Sequence, residues 1–339
     1  DSHTSARLVA QVSQALGFDP AIDAQACHLT MLHEVYEHAG DFDIIHSHLD
    51  YLTLPFIALT PTPTVITLHG RLDVPAYQRL FPKYPHANLV AISDSQRSEI
   101  PDAHWVATIH HSVDIESFPF SPIPGKYLLF VGRVAPEKGT ERAIEIAIAA
   151  DIPLKIAAKV DQKDKNYFEE RVRPMLDHHL IEFIGPVDEK EKRLLMRDAL
   201  ALLAPIEWPE PFGMVFIESL ACGTPVLTCP NGSAPELLRD GVTGYMYETN
   251  EELVAAAHKV GALSRTGCRA YAMRRWNLRR MAQEYERVYM QLLQQTPAWK
   301  HPRRRSKGGA RQRVRAKISP LSLLSHSEDE VARQADAAG

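Results

Sequence analysis

Apolar positions in this chain fall into short runs separated by helical or turn segments. In the N-terminal part these runs predict strands at about 43–48 (DIIHSH), 64–69 (TVITLH), 88–92 (NLVAI) and 105–109 (WVATI). Residues 24–39 show helical spacing instead. The stretch FPFSPIPG (Phe118–Gly125) is punctuated by prolines and reads as a linker. Beyond it, strands are predicted at about 127–132, 153–158, 181–184, 200–204, 225–228 and 244–247, with helices between them. A helix around 277–295 places Leu278, Met281, Tyr285, Val288 and Leu292 on one face and is expected to pack on a domain. Strands alternating with helices predict an α/β fold with parallel sheets.

Five segments follow: a Rossmann-like domain over 1–117, the linker 118–125, a second Rossmann-like domain over 126–275, the helix 276–295 and a tail over 296–339. The first domain carries four strands where a doubly wound half normally has about six. It opens on DSHTSARL, with neither an apolar strand nor a glycine-rich loop, so a β-loop-α-β unit is expected to be missing from the start. Hydrophobic residues at 45% and charged residues at 24% are those of a soluble globular protein. No run of eighteen apolar residues and no signal-peptide pattern occur, so a cytoplasmic location is expected. The net charge of −4 hides an asymmetry, because residues 300–317 hold nine Lys or Arg and no acid. The body is therefore acidic, and no specific nucleic-acid partner is expected. The tail reads as disordered, with a basic lipid or nucleic-acid tether as the alternative, and membrane contact is left open without further support. Cys27, Cys222, Cys229 and Cys268 show no C-x-x-C pairing and read as free thiols, mostly buried.

The richest chemistry lies in EWPEPFGMVFIESLACGTP (Glu207–Pro225), which follows the predicted strand ALLA and enters a helix. In an open α/β sheet this puts Glu210, Phe212 and Gly213 in the crevice beyond a strand's C-terminal end, where such sheets bind ligands. Gly213 lets backbone approach a ligand closely, and free N–H groups of Gly213, Met214 and Val215 would point into the crevice. Amide donors beside the carboxylates of Glu210 and Glu218 suit a polyhydroxyl ligand. Acidic residues favoured by the helix dipole would explain Glu210 but not the Pro-Phe-Gly loop or a second acid inside an apolar run. A second cluster is YLLFVGRVAPEKG, in which Arg133 and Lys138 flank a predicted helix N-terminus and form an anion site apt for a diphosphate. Surface charge is the simpler alternative there. Neither a Walker A loop nor a G-x-G-x-x-G motif is present. His69, at a strand end before Gly70, is placed to face a ligand across the crevice. His46 and His48 share a strand face, but without a third ligand nearby they read as a hydrogen-bonded strand-end pair rather than a metal site. The turn Asn231-Gly232-Ser233 follows a strand end and is expected to line the same cleft.

FVGRVAPEKG, Glu210-x7-Glu218 within EPFGMVFIE, ACGTPV and GVTGY together resemble family 4 of the retaining glycosyltransferases. HSHLDY, TLHGRLD, IHHSVD and IPLKIAAKVD resemble its subgroup named for a transferase of the avilamycin cluster. The resemblance covers residues 1 to about 294 and implies a GT-B fold, two Rossmann-like doubly wound domains facing a cleft, here with the N-terminal one incomplete. It implies metal-independent transfer of a hexose-type sugar from a UDP- or GDP-linked donor to a carbohydrate, lipid or small-molecule acceptor, with no cofactor. Arg133 and Lys138 would grip the donor diphosphate, and Glu218 would accept from the ribose diol. Glu210, with the N–H groups of Phe212, Gly213 and Met214, would hold the sugar hydroxyls, and His69 would face the sugar near its anomeric carbon. The D-x-D of metal-dependent sugar transferases occurs at Asp41-Phe42-Asp43, but before a strand rather than after one, and is read as coincidence. IHHSVD departs from the commoner I-P-N-G-V-D, and its place on the linker side predicts little effect on the chemistry. Two other activities compete: an impaired nucleotide-sugar-binding protein, because the glycine-rich loop is absent, and a glycan phosphorylase, for which no pyridoxal-phosphate lysine site argues.

Overall fold

A computed structural model describes residues 4–12, 16 and 22–295; the tail expected over 296–339 lies outside the described residues. Two parallel sheets organise the chain. The first has the order β1-β2-β3-β4, formed by β1 (Ile45–Ser47), β2 (Thr64–Thr67), β3 (Asn88–Ala91) and β4 (Trp105–Thr108). Every residue of β2 is buried, which is why its sequence is an unbroken apolar-and-threonine run rather than an alternating one. Helices α1 (Ala24–Glu37), α2 (Pro75–Leu80) and α3 (Asp94–Ser98) accompany this sheet.

The second sheet contains β5 (Leu128–Arg133), β6 (Leu154–Lys159), β7 (Ile181–Phe183), β8 (Ala201–Ala204), β9 (Val226–Thr228) and β10 (Gly244–Met246). Its spatial order is β10-β9-β8-β5-β6-β7, the doubly wound order of a dinucleotide-type fold. The strand order therefore reverses between β5 and β8, and a crevice opens beyond their C-terminal ends. Its helices are α4 (Thr140–Ala149), α5 (Lys165–Tyr167), α6 (Glu189–Asp198), α7 (Met214–Ala221), α8 (Ala234–Leu237), α9 (Asn250–Lys259) and α10 (Arg265–Arg275). Local chemistry fixes several of their starts. Asp188 accepts from the Glu191 N–H at 2.8 Å to cap α6, and Thr249 with Glu252 forms a capping box on α9.

Each face of the second sheet carries its own core, one around Phe216, Leu220 and Trp276, the other around Phe130, Ile144 and Leu203. The last helix, α11 (Leu278–Gln295), follows the second sheet but packs on the first. Met281, Tyr285, Val288, Tyr289 and Leu292 meet Val65, Val90 and Ile109 there. Leu278, assigned to the same face by spacing, is instead 50% exposed, because α11 reaches the first sheet only from Met281 onward.

Candidate functional site

Loops beyond the C-terminal ends of strands from both sheets converge on one cavity of about 290 Å³. From the second sheet come Val131 and Gly132 at the end of β5, Lys138 in the following loop, and Ile206 with Glu210 to Val215 after β8. From the first sheet come His69 after β2, Ile92 after β3 and His111 after β4. Seven residues singled out in the sequence thus share one cavity: His69, Lys138, Glu210, Phe212, Gly213, Met214 and Val215. Gly213 sits at φ 75°, where a left-handed backbone turns the chain into α7.

Lys138 forms an ion pair with the Oε2 atom of Glu210, and the Trp208 indole N–H donates to the same oxygen at 3.0 Å. Trp208 is a functional candidate that the spacing argument missed. Its ring lies 5.1 Å from the Lys138 ammonium and 5.2 Å from the Arg71 guanidinium, so two cations flank one aromatic face system. Glu210, which lines the cavity, is thereby held at one oxygen by a cation and a neutral donor.

Arg133 and Glu218 do not line the cavity. The Arg133 guanidinium is turned onto three carboxylates, Glu137 at 2.9 Å, Asp164 at 3.1 Å and Asp161 at 3.6 Å. Asp161 and Asp164 come from the chain after β6, the strand beside β5. Arg133 and Lys138 thus share a βα loop but not a direction. Glu218, on α7, pairs with Lys192 of α6 at 3.1 Å. Burial raises its carboxyl above the usual range, and the Lys192 charge opposes that rise.

On the opposite wall, three imidazoles form a hydrogen-bonded row. His48 Nδ1 lies 2.8 Å from His69 Nε2, and His69 Nδ1 lies 3.4 Å from His111 Nε2. The rings of His69 and His111 are parallel, with centroids 5.2 Å apart. The backbone N–H of His69 donates to Asp50 at 2.8 Å. Asp50 itself has φ 43°, a left-handed conformation that Asp tolerates better than most residues. Burial lowers the pKa of His69 and His48, and pushes His111 down to about 4, with repulsion from His69 and His48 adding to it. The row is therefore neutral at pH 7, and each contact within it holds a single proton. Behind it, both nitrogens of His46 are taken, by the Tyr289 hydroxyl at 2.6 Å and by Thr67 Oγ1 at 2.7 Å. That is the hydrogen-bonded strand-end arrangement expected for this histidine.

IHHSVD, assigned to the linker side by its sequence place, also reaches the cavity. His111 enters the cavity and meets Phe212 edge-on at 5.0 Å. His110 reaches Glu236, with Nε2 to Oε2 at 3.2 Å. The turn Asn231–Ser233 buttresses the Glu210 loop from behind instead of lining the cavity: Ser233 donates its N–H to Glu210 O at 3.0 Å and its hydroxyl to Phe212 O at 2.7 Å.

Residues 115–272 match the family described as glycosyl transferases group 1. The chain is 26% identical over 284 residues to a phosphatidyl-myo-inositol mannosyltransferase of Mycobacterium leprae, covering 74% of each. Among solved structures it resembles AviGT4, a glycosyltransferase involved in avilamycin A biosynthesis, with a TM-score of 0.61, 24% identity and 78% of each chain covered. It also resembles HepE of Anabaena in complex with UDP and glucose, with a TM-score of 0.66 and 19% identity over 77% of this chain and 82% of that one.

Proposed function

We propose, from the premise that the chain is a glycosyltransferase with a group 1 domain and the GT-B fold, that it moves a hexose-type sugar from a nucleoside-diphosphate donor, with retention and without a metal ion. The observation that carries this reading is the meeting of Lys138, Glu210 and the Phe212–Met214 backbone with His69 of the opposite sheet in one cavity. Such a cavity offers a cation for a diphosphate, acceptors and amide donors for sugar hydroxyls, and an imidazole from the facing wall.

In this reading the bond between the anomeric carbon and the diphosphate oxygen breaks, and negative charge grows on the leaving diphosphate. Lys138 stabilises that charge as it develops. The acceptor hydroxyl adds from the face the diphosphate leaves, and its proton passes to a diphosphate oxygen. His69 stays a neutral hydrogen-bonding group beside the anomeric carbon, as its lowered pKa requires. Glu218 takes the ribose diol, and Arg133 joins the diphosphate after leaving its three carboxylates. UDP in the HepE structure favours a uridine donor as the first to try. The mannosyltransferase relatives favour mannose as the hexose to include, and GDP-linked hexoses are tried second. The acceptor class stays open between carbohydrate, lipid and small molecule. A thermal-shift panel of UDP-, GDP- and ADP-linked hexoses tests the reading. One nucleotide family should raise the melting temperature, and Glu210→Gln should abolish the sugar-dependent part of that rise. No shift with any donor would overturn it.

A further inference from the structure

Glu236 lies outside the cavity, yet among the described residues its side chain bonds to groups that precede the second sheet. It sits on α8, after β9 of the second sheet. Its Oε1 accepts from the Ser95 N–H at 2.7 Å, and its Oε2 from the Asp94 N–H at 2.8 Å. Both amides belong to the first turn of α3, beyond β3 of the first sheet. Oε2 also receives His110 Nε2 at 3.2 Å. A carboxylate gripped by two amides and an imidazole is a strong, charge-assisted join. Burial works to raise its pKa, but those three donors prevail and hold the carboxyl below the usual range.

Each end of this join is fastened to the site. On the Glu236 side, Ser233 bonds to the carbonyls of Glu210 and Phe212. Gly232, at φ 57°, packs so tightly that a Cβ there would fall 2.3 Å from the Glu210 nitrogen. The backbone of the Glu210 loop and the turn before Glu236 therefore move as one piece. On the α3 side, the Gln96 amide donates to Leu68 O at 3.1 Å and to Gly70 O at 2.8 Å, the residues on either side of His69. Gln96 is buried, and its Oε1 also accepts from the Ile92 N–H at 3.0 Å. An unbroken hydrogen-bonded path thus runs from the flanks of His69 through Gln96, α3, Glu236 and Ser233 to Glu210 and Phe212.

We propose that Glu236 is a positioning residue that sets the separation between His69 and the Glu210 loop across the cleft. The proposal rests on the glycosyltransferase reading for its effect on transfer, and on geometry alone for the join itself. The donor-holding groups of that reading, apart from His69, sit on the second half, so nucleoside-diphosphate affinity does not depend on the join. Transfer does, because the imidazole wall must be brought to the sugar.

Glu236→Gln tests both parts with little change in volume. A glutamine can accept from one of the two amides, and its NH2 then confronts the other as donor against donor. Two measurements follow on wild type and variant. Amide hydrogen exchange without substrate should accelerate at least tenfold at Asp94 and Ser95; unchanged exchange there overturns the join, whatever the activity. Nucleotide release from the donor identified by thermal shift should fall roughly 30- to 100-fold in kcat, with nucleoside-diphosphate Kd within about twofold of wild type. A kcat within threefold of wild type, or a Kd that weakens in step with kcat, overturns the positioning role. If wild type itself releases no nucleotide from any donor, the glycosyltransferase reading fails and the positioning role falls with it, while the exchange result still decides whether the join exists.

Discussion

Lowering the pH from 8 to 5 is expected to destabilise the chain through the buried imidazoles of His46 and His111. Burial, with repulsion from His48 and His69, holds His46 at about 3 and His111 at about 4, against an ordinary 6.5. Both folded values lie below the unfolded one, so their contribution is fully present above pH 6.5. It is lost as the pH falls toward 4 for His111 and 3 for His46. At pH 5 an unfolded imidazole is almost fully protonated, while the folded ones stay neutral. Each then favours unfolding by about 2 kcal/mol. The two are not independent, since both face His48 and His69, so together they are worth roughly 2–4 kcal/mol. That is a large share of the 5–15 kcal/mol typical of a folded domain. Urea unfolding at pH 8, 7, 6 and 5 measures it. The midpoint should drop steadily from pH 7 to 5, and His46→Gln and His111→Gln should each lose about 2 kcal/mol less over that interval. A wild-type midpoint flat across that window, or variants with the wild-type slope, would refute the buried, neutral state of His46 and His111.

Glu218→Ala is expected to weaken nucleoside-diphosphate binding about tenfold to a hundredfold, as loss of a hydrogen bond to a charged group worth roughly 1.5–3 kcal/mol implies; calorimetric titration showing unchanged affinity would remove the ribose role. Lys138→Ala and Arg133→Ala should lower kcat by about 10²–10³ while changing donor affinity less, since leaving-group charge grows only in the transition state. Steady-state kinetics paired with equilibrium binding separates the two, and equal losses in both would contradict it.

Local pattern carried most of the fold because parallel strands buried on both faces leave short apolar runs. ALLA at β8 and TVIT at β2 are examples, each with all four residues buried. The exposure of Leu278 was not legible, since spacing defines a helix face but not where along the helix that face meets its partner. In the site, Lys138, Glu210, Phe212 and Gly213 were readable because βα loops beyond a sheet's switch point announce themselves through glycine, proline and charge. What was hidden depends on how the two sheets face each other. His110 and Glu236 are 126 residues apart, and no local periodicity links them. His111 sits in a motif whose departure from the common pattern was visible, but its direction into the cavity follows from packing against His69 and Phe212. The orientation of Arg133 is likewise decided by Asp161 and Asp164 beyond the neighbouring strand.

The central claim, that the cavity joining both sheets transfers a sugar from a nucleoside diphosphate, is tested most directly by nucleotide release in the presence of EDTA. Purified chain is mixed with each nucleoside-diphosphate hexose and an acceptor extract, and free nucleoside diphosphate is quantified against a Glu210→Gln control. The account predicts release from at least one donor, undiminished by EDTA and lost in the control. Release from none of them, or release that vanishes with EDTA and persists in Glu210→Gln, would contradict it.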